Sequence, residues 1–214
     1  MKLIDMTVVE FANEVDSNSP APGGGSVSAL ASNIGIGLAR MMAHLSFGKK
    51  KYESLDESIR LEFVDRFNKL GDIREQLINL VDEDSESFNE FMKAIKMPKD
   101  TPEQIEARKL EMHNATLFSI EVPFKTAQLS LEALQLIPYL IGYGNQNAIT
   151  DIGVGTLMLY TGLEGAILNV KVNLSGIEDK QICAVYSQKS KEILSKAKEI
   201  KDDILQNIHS KIDN

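Results

Sequence analysis

The chain has no tryptophan, one cysteine and six prolines in 214 residues. Phe and Tyr are also scarce, so the interior must be built from Leu, Ile, Val, Met and Ala, a set that suits packed helices. The lone Cys183 leaves no disulfide framework and no Cys-based metal site, and fits a reducing cytoplasm. Basic residues are the minority. With 23 Lys and Arg against 31 Asp and Glu, the net charge of −8 offers no general field for nucleic acid. Long apolar runs are missing too. The stretch 26–39 is closed by Arg40, and a later one is broken by Asp151, Glu164 and Lys171, so neither makes a membrane span of about 20 residues. The start, Met1-Lys2-Leu3-Ile4-Asp5, carries no apolar core of a secretory signal. One domain over residues 1–214 is the expected organisation, since 43% hydrophobic and 25% charged residues are ordinary globular usage.

What is present is helical periodicity. Thr7-Val8-Val9-Glu10 is a capping-box pattern that starts a short helix ending near Val15, with Val8, Phe11 and Val15 as its apolar stripe. A loop over 17–25 ends in Pro22-Gly23-Gly24-Gly25, and Ser26 is placed to cap a helix running to about Leu45. That helix is apolar on nearly every side, and Ala31, Gly35, Ala39 and Ala43 form a ridge that admits a close neighbour. After a connection over 47–54, residues 55–96 keep helical spacing for about 60 Å, with Gly71 as the one glycine. Thr101-Pro102-Glu103-Gln104 restarts a helix, while Pro123 and Pro138 predict kinks or boundaries. Residues 142–147 form a loop, 148–174 a second largely apolar helix, and the remainder an amphipathic covering helix. The expected fold is all-α: a multi-helix bundle of long amphipathic helices around two largely buried apolar ones.

Chemistry concentrates at Asp84. Steps of seven along the long helix pass through Phe63, Leu70, Leu77, Asp84 and Phe91, so a carboxylate interrupts a hydrophobic stripe. Burial raises a carboxyl pKa toward the range of proton transfer, although a structural Asp bonding a neighbouring helix fits the same pattern. Asp82 falls on a different, mostly wet face. Gly23, Gly24 and Gly25 before a helix start allow close backbone approach to a ligand, or simply a tight helix entry. Asn169 and Asn173 share one helix face, with Asp151, Asn145 and Asn147 near that helix's start; such amides bind heterocycles or bridge helices. Lys49, Lys50 and Lys51 form a basic turn. His44, His113 and His209 lack metal-ligand spacing, and no Ser-His-Asp or Cys-His set can be assembled.

The motifs Pro20-Ala21-Pro22-Gly23-Gly24-Gly25-Ser26-Val27, Leu80-Val81-Asp82-Glu83-Asp84-Ser85-Glu86-Ser87-Phe88, Met97-Pro98-Lys99, Gly144-Asn145 with Thr150-Asp151, and Asn169-Val170-Lys171-Val172-Asn173-Leu174 occur in that order. Together they resemble the formimidoyltetrahydrofolate cyclodeaminase / methenyltetrahydrofolate cyclohydrolase family, in its stand-alone form and over essentially the whole chain. The resemblance implies a cytoplasmic homodimer or larger homo-oligomer. It would act on one-carbon tetrahydrofolate, with no metal, no further cofactor, and neither membrane nor nucleic-acid partners. It makes Asp84 the catalytic acid/base. Gly23, Gly24, Gly25 and Ser26 would shape the folate site, and Asn145, Asp151, Asn169 and Asn173 would line or support it. Arg40, Lys49 and Lys50 could meet the glutamate tail. The implied reaction is cyclodeamination, as in histidine breakdown, with cyclohydrolysis as the alternative. A non-catalytic helical adaptor is the answer of a different class.

Overall fold

In the computed structural model, which describes residues 2–213, seven α-helices follow one another: α1 (Val8–Val15), α2 (Gly24–His44), α3 (Lys50–Glu53), α4 (Glu57–Ile95), α5 (Pro102–Tyr143), α6 (Ile149–Leu174) and α7 (Lys180–Ile212). Short 3-10 turns at Leu3–Asp5 and Gln146–Ala148 complete the order, and no strand occurs among the described residues. The expected all-α bundle is what the chain forms.

Helices α2 and α6 lie side by side and make the most extensive packing in the molecule. Backbone proximity explains their glycines. A Cβ on Gly35 would come within 2.7 Å of the Gly155 carbonyl oxygen, and one on Gly155 within 3.1 Å of Leu38 Cβ. Ser28 stands against Gly165 and Ser32 against Gly162, so the two helices run antiparallel. The small-residue ridge expected on α2 is used here at Gly35, with Ala39 fully buried beside it. Helices α4 and α5 cover one side of this pair and α7 covers α6 and α5. Ile36, Phe63, Leu70, Leu77, Leu134, Ile137, Leu159 and Leu163 are fully buried in the shared core.

Both sequence-read capping boxes form, at Thr7 with Glu10 and at Thr101 with Gln104. Three expectations are corrected. Helix α1 buries none of its residues, and Val8 is 87% exposed. The connection after α2 holds the one-turn helix α3. Pro123 and Pro138 do not end a helix: α5 runs unbroken for 42 residues through both. A proline at 123 deprives the Ser119 carbonyl of its helical donor, and Asn173 Nδ2 of α6 supplies a replacement at 2.6 Å. No helix among the described residues is long and apolar enough to cross a membrane.

Candidate active site

Helix α2 starts with a capping problem. Its N-cap is Gly23, which has no side chain to accept the free N–H groups of the first turn. The acceptor comes from another helix. Asp84 of α4 takes a hydrogen bond from Ser26 N at 2.7 Å and another from Ser26 Oγ at 2.9 Å, both on Oδ2. Ser26 is therefore not the cap that its position suggests. It is the fully buried third residue of the helix, and it anchors the carboxylate. Oδ1 of Asp84 has no hydrogen-bond partner among the described residues, and Asp84 lines the adjoining cavity.

Gly25 makes this possible. A Cβ there would overlap the Asp84 carboxylate, so only glycine lets the acid sit against the first turn. Burial pushes the Asp84 carboxyl above its ordinary value, and the two Ser26 hydrogen bonds pull part of the way back. The positive end of α2 adds to that pull. The group is thus anchored through one oxygen and available through the other.

The cavity beside it encloses about 410 Å³, within the range of small-molecule sites. Its floor is the glycine turn and Asp84; its walls are Phe88 and Phe91 of α4, Thr116 and Ser119 of α5, and Asn169, Val172 and Asn173 at the end of α6. Asn169 Nδ2 donates to Gly165 O at 2.9 Å and would lie 3.1 Å from a Cβ on Gly24. Asn173 spends its amide N–H on Ser119 O, so it bridges α6 and α5 while lining the cavity. Ser26 does not line it. Sequence reasoning placed Phe88 and Phe91 in the hydrophobic stripe and missed them as cavity walls; their signal was the spacing of four and seven from Asp84. Ser85, Thr116 and Ser119 carried no signal in a single sequence.

The other expected residues lie elsewhere in this chain. Asn145 donates its N–H to Ser46 Oγ at 2.8 Å and its Nδ2 to Leu45 O at 3.1 Å, beyond the C-terminal end of α2. That is about 30 Å from Gly25 along the helix. Asp151 is in the first turn of α6, about 27 Å along that helix from Asn169. Lys49, Lys51, Tyr52, Tyr143 and Asn145 line a second cavity of about 380 Å³ there; Lys50 is exposed nearby. Arg40 reaches neither cavity. Its guanidinium stacks over Phe67 at 3.8 Å, donates to the Phe67 carbonyl, and fills the space left by Gly71, which explains the lone glycine of α4. Asp82 is not wet either: its Oδ1 accepts Leu3 N–H at 2.6 Å, and its Oδ2 is buried without a partner. Among the described residues no three His, Cys, Asp or Glu side chains converge to hold a metal ion.

A family model described as formiminotransferase-cyclodeaminase matches residues 7–192. The chain belongs to that family. A methenyltetrahydrofolate cyclohydrolase from Methylorubrum extorquens is 30% identical over 206 residues, covering 96% of this chain and 97% of that protein. The formimidoyltransferase-cyclodeaminase of Gallus gallus is 34% identical over 197 residues, 92% of this chain but 36% of the longer protein. A crystal structure of formiminotetrahydrofolate cyclodeaminase from Thermotoga maritima shares the fold, with a TM-score of 0.77 at 23% identity over 96% of this chain and 95% of that one. The formiminotransferase-cyclodeaminase match begins at the α1 capping box and ends within α7, so it takes in every wall of the Asp84 cavity.

Proposed function

We propose that this chain is a one-carbon tetrahydrofolate enzyme that converts 5-formimino-tetrahydrofolate to 5,10-methenyltetrahydrofolate and ammonia, with Asp84 as the acid/base. The expected cytoplasmic location and homo-oligomeric assembly belong to the same reading. The observation that carries it is the anchored carboxylate: Oδ2 held by Ser26, Oδ1 unpaired, beside a cavity with aromatic and amide walls. A flat pterin suits Phe88 and Phe91 on one side and Asn169 on the other.

The steps balance on one proton carrier. N10 of the folate attacks the protonated formimino carbon on N5 and gives a tetrahedral centre bearing three nitrogens. Asp84 accepts the proton from N10 and delivers it to the exocyclic nitrogen. The C–N bond to that nitrogen then breaks, and ammonia leaves. A raised carboxyl pKa favours this role, because it makes the carboxylate a better base for the N10 proton, which the more basic exocyclic amine then takes from it. The Ser26 anchor keeps the acid from rotating away between the two transfers.

Cyclohydrolysis is the second reading, and the near-full-length match to the Methylorubrum extorquens cyclohydrolase favours it. There Asp84 would take one proton from water as it adds to the methenyl carbon and return it to N5 as the C–N5 bond breaks, while the remaining hydroxyl proton passes to solvent and the formyl C=O of 10-formyl-tetrahydrofolate forms. Both paths cross similar tetrahedral species, so one site serves either. The test is to follow the near-ultraviolet band of the methenyl group. Its growth from 5-formimino-tetrahydrofolate supports the deaminase, and its decay above the uncatalysed rate supports the hydrolase. No change with either substrate would favour the adaptor reading.

A further inference from the structure

We propose that the groove beside the α4–α5 turn is a carboxylate subsite, in which Lys99, Arg108 and Lys109 hold the glutamate end of the substrate. This deepens the folate reading above and rests on it. The Asp84 cavity holds no basic side chain, although the glutamate end of a folate is a dianion. In a chain of net charge −8, that end needs a local basic site. A neighbouring cavity of about 620 Å³ supplies one. Phe91, Thr116 and Gly176 line both, so the two meet along a shared wall.

The basic groups are placed by helix spacing and by the turn. His113, Met112, Lys109 and Arg108 precede Thr116 by three, four, seven and eight residues, which puts them on one face of α5. Lys99 comes from Met97-Pro98-Lys99, in the turn that joins α4 to α5. Arg108 is held in position, because its Nε donates at 3.2 Å to Ile95 O in the last turn of α4. No hydrogen bond or salt bridge among the described residues occupies its terminal nitrogens, nor the Lys99 and Lys109 ammonium groups. Such a guanidinium fork takes a carboxylate through two parallel hydrogen bonds. Two acids share the groove. Asp179 spends its Oδ1 on the N–H groups of Gln181 and Ile182, which leaves Glu178 as the exposed carboxylate of that wall. The distances agree as well. N10 of a folate lies about 10 Å from its glutamate by ordinary bond lengths. Phe91 is about 10 Å along α4 from Asp84, and Lys109 about 10 Å along α5 from Thr116. The cavity with Lys49 and Lys51, about 30 Å from Gly25 along α2, is out of reach.

The test compares 5-formimino-tetrahydrofolate with its des-glutamyl analogue, 5-formimino-tetrahydropteroate; the corresponding methenyl pair serves for the hydrolase. The unaltered protein should prefer the glutamylated substrate by at least about tenfold in kcat/KM, expressed in KM. Arg108→Ala and, separately, Lys99→Ala should each cut that preference severalfold, and Arg108→Lys should retain part of it. Added salt should erode the preference of the unaltered protein, since the groove is open to solvent. Equal kcat/KM for the two substrates, equal losses on both in the variants, or loss of preference in Lys49→Ala in place of Arg108→Ala would each overturn the subsite. Turnover of no formimino or methenyl substrate by the unaltered protein would remove the folate reading, and this ligand with it.

Discussion

Two influences of opposite sign meet on the Asp84 carboxyl, and the larger is burial. Its folded pKa therefore lies above the unfolded value, and between the two the native state binds more protons. The group's contribution to stability is present below the unfolded pKa and is lost as pH rises through the folded one. Asp84→Asn, which keeps an acceptor for Ser26, should melt at or above the temperature of the unaltered protein at pH 7. The gap should narrow as pH falls toward the ordinary carboxylate range. Calorimetry across pH checks this, and a large drop in melting temperature at pH 7 would mean that the charge is a structural necessity. Gly25→Ala makes the complementary point. Its Cβ claims the space of the carboxylate, so the variant should lose about 10²-fold in turnover by misplacing an intact Asp84. Unaltered kcat in Gly25→Ala would show that the close approach is dispensable.

At the level of elements, the helix interruptions that local sequence predicts are undone by side chains remote in the chain. Pro123 signals a boundary because it lacks an N–H, and nothing near it in sequence reveals that Asn173, 54 residues from Ser119, supplies the donor. Ser26 signals a cap for the same local reason, while the real acceptor is Asp84, 58 residues away. Capping boxes at Thr7 and Thr101 were legible because both partners lie within four residues. The Pro123–Asn173 relation is testable by a double-mutant cycle in urea. Asn173→Ala should cost about 1–3 kcal/mol by stranding the Ser119 carbonyl. In a Pro123→Ala background the helix supplies its own N–H, and that cost should fall by at least half. Additive effects would mean that the Asn173 bond does not replace the missing one. Packing predicts a further cost between α2 and α6: Gly35→Ala places a methyl 2.7 Å from the Gly155 carbonyl oxygen and should destabilise by about 1–3 kcal/mol in the same assay.

For the molecule as a whole, the bundle was legible because its helices keep period and cap cleanly, whereas the site was legible only in part. Asp84 stood out as a charge on an apolar stripe, and the glycine turn was marked by composition; the structure joins them through Ser26. The order of motifs along a chain carries no distance, however. Asn145 and Asp151 follow in sequence yet sit at the far end of the same two helices. Arg40 resembled an anion contact and is instead stacked on Phe67. The most direct measurement of the central claim is methenyl formation from 5-formimino-tetrahydrofolate by the unaltered protein and by Asp84→Asn, at matched helical content. The account predicts turnover by the first and a loss of at least about 10²-fold in the second. Equal rates would contradict it.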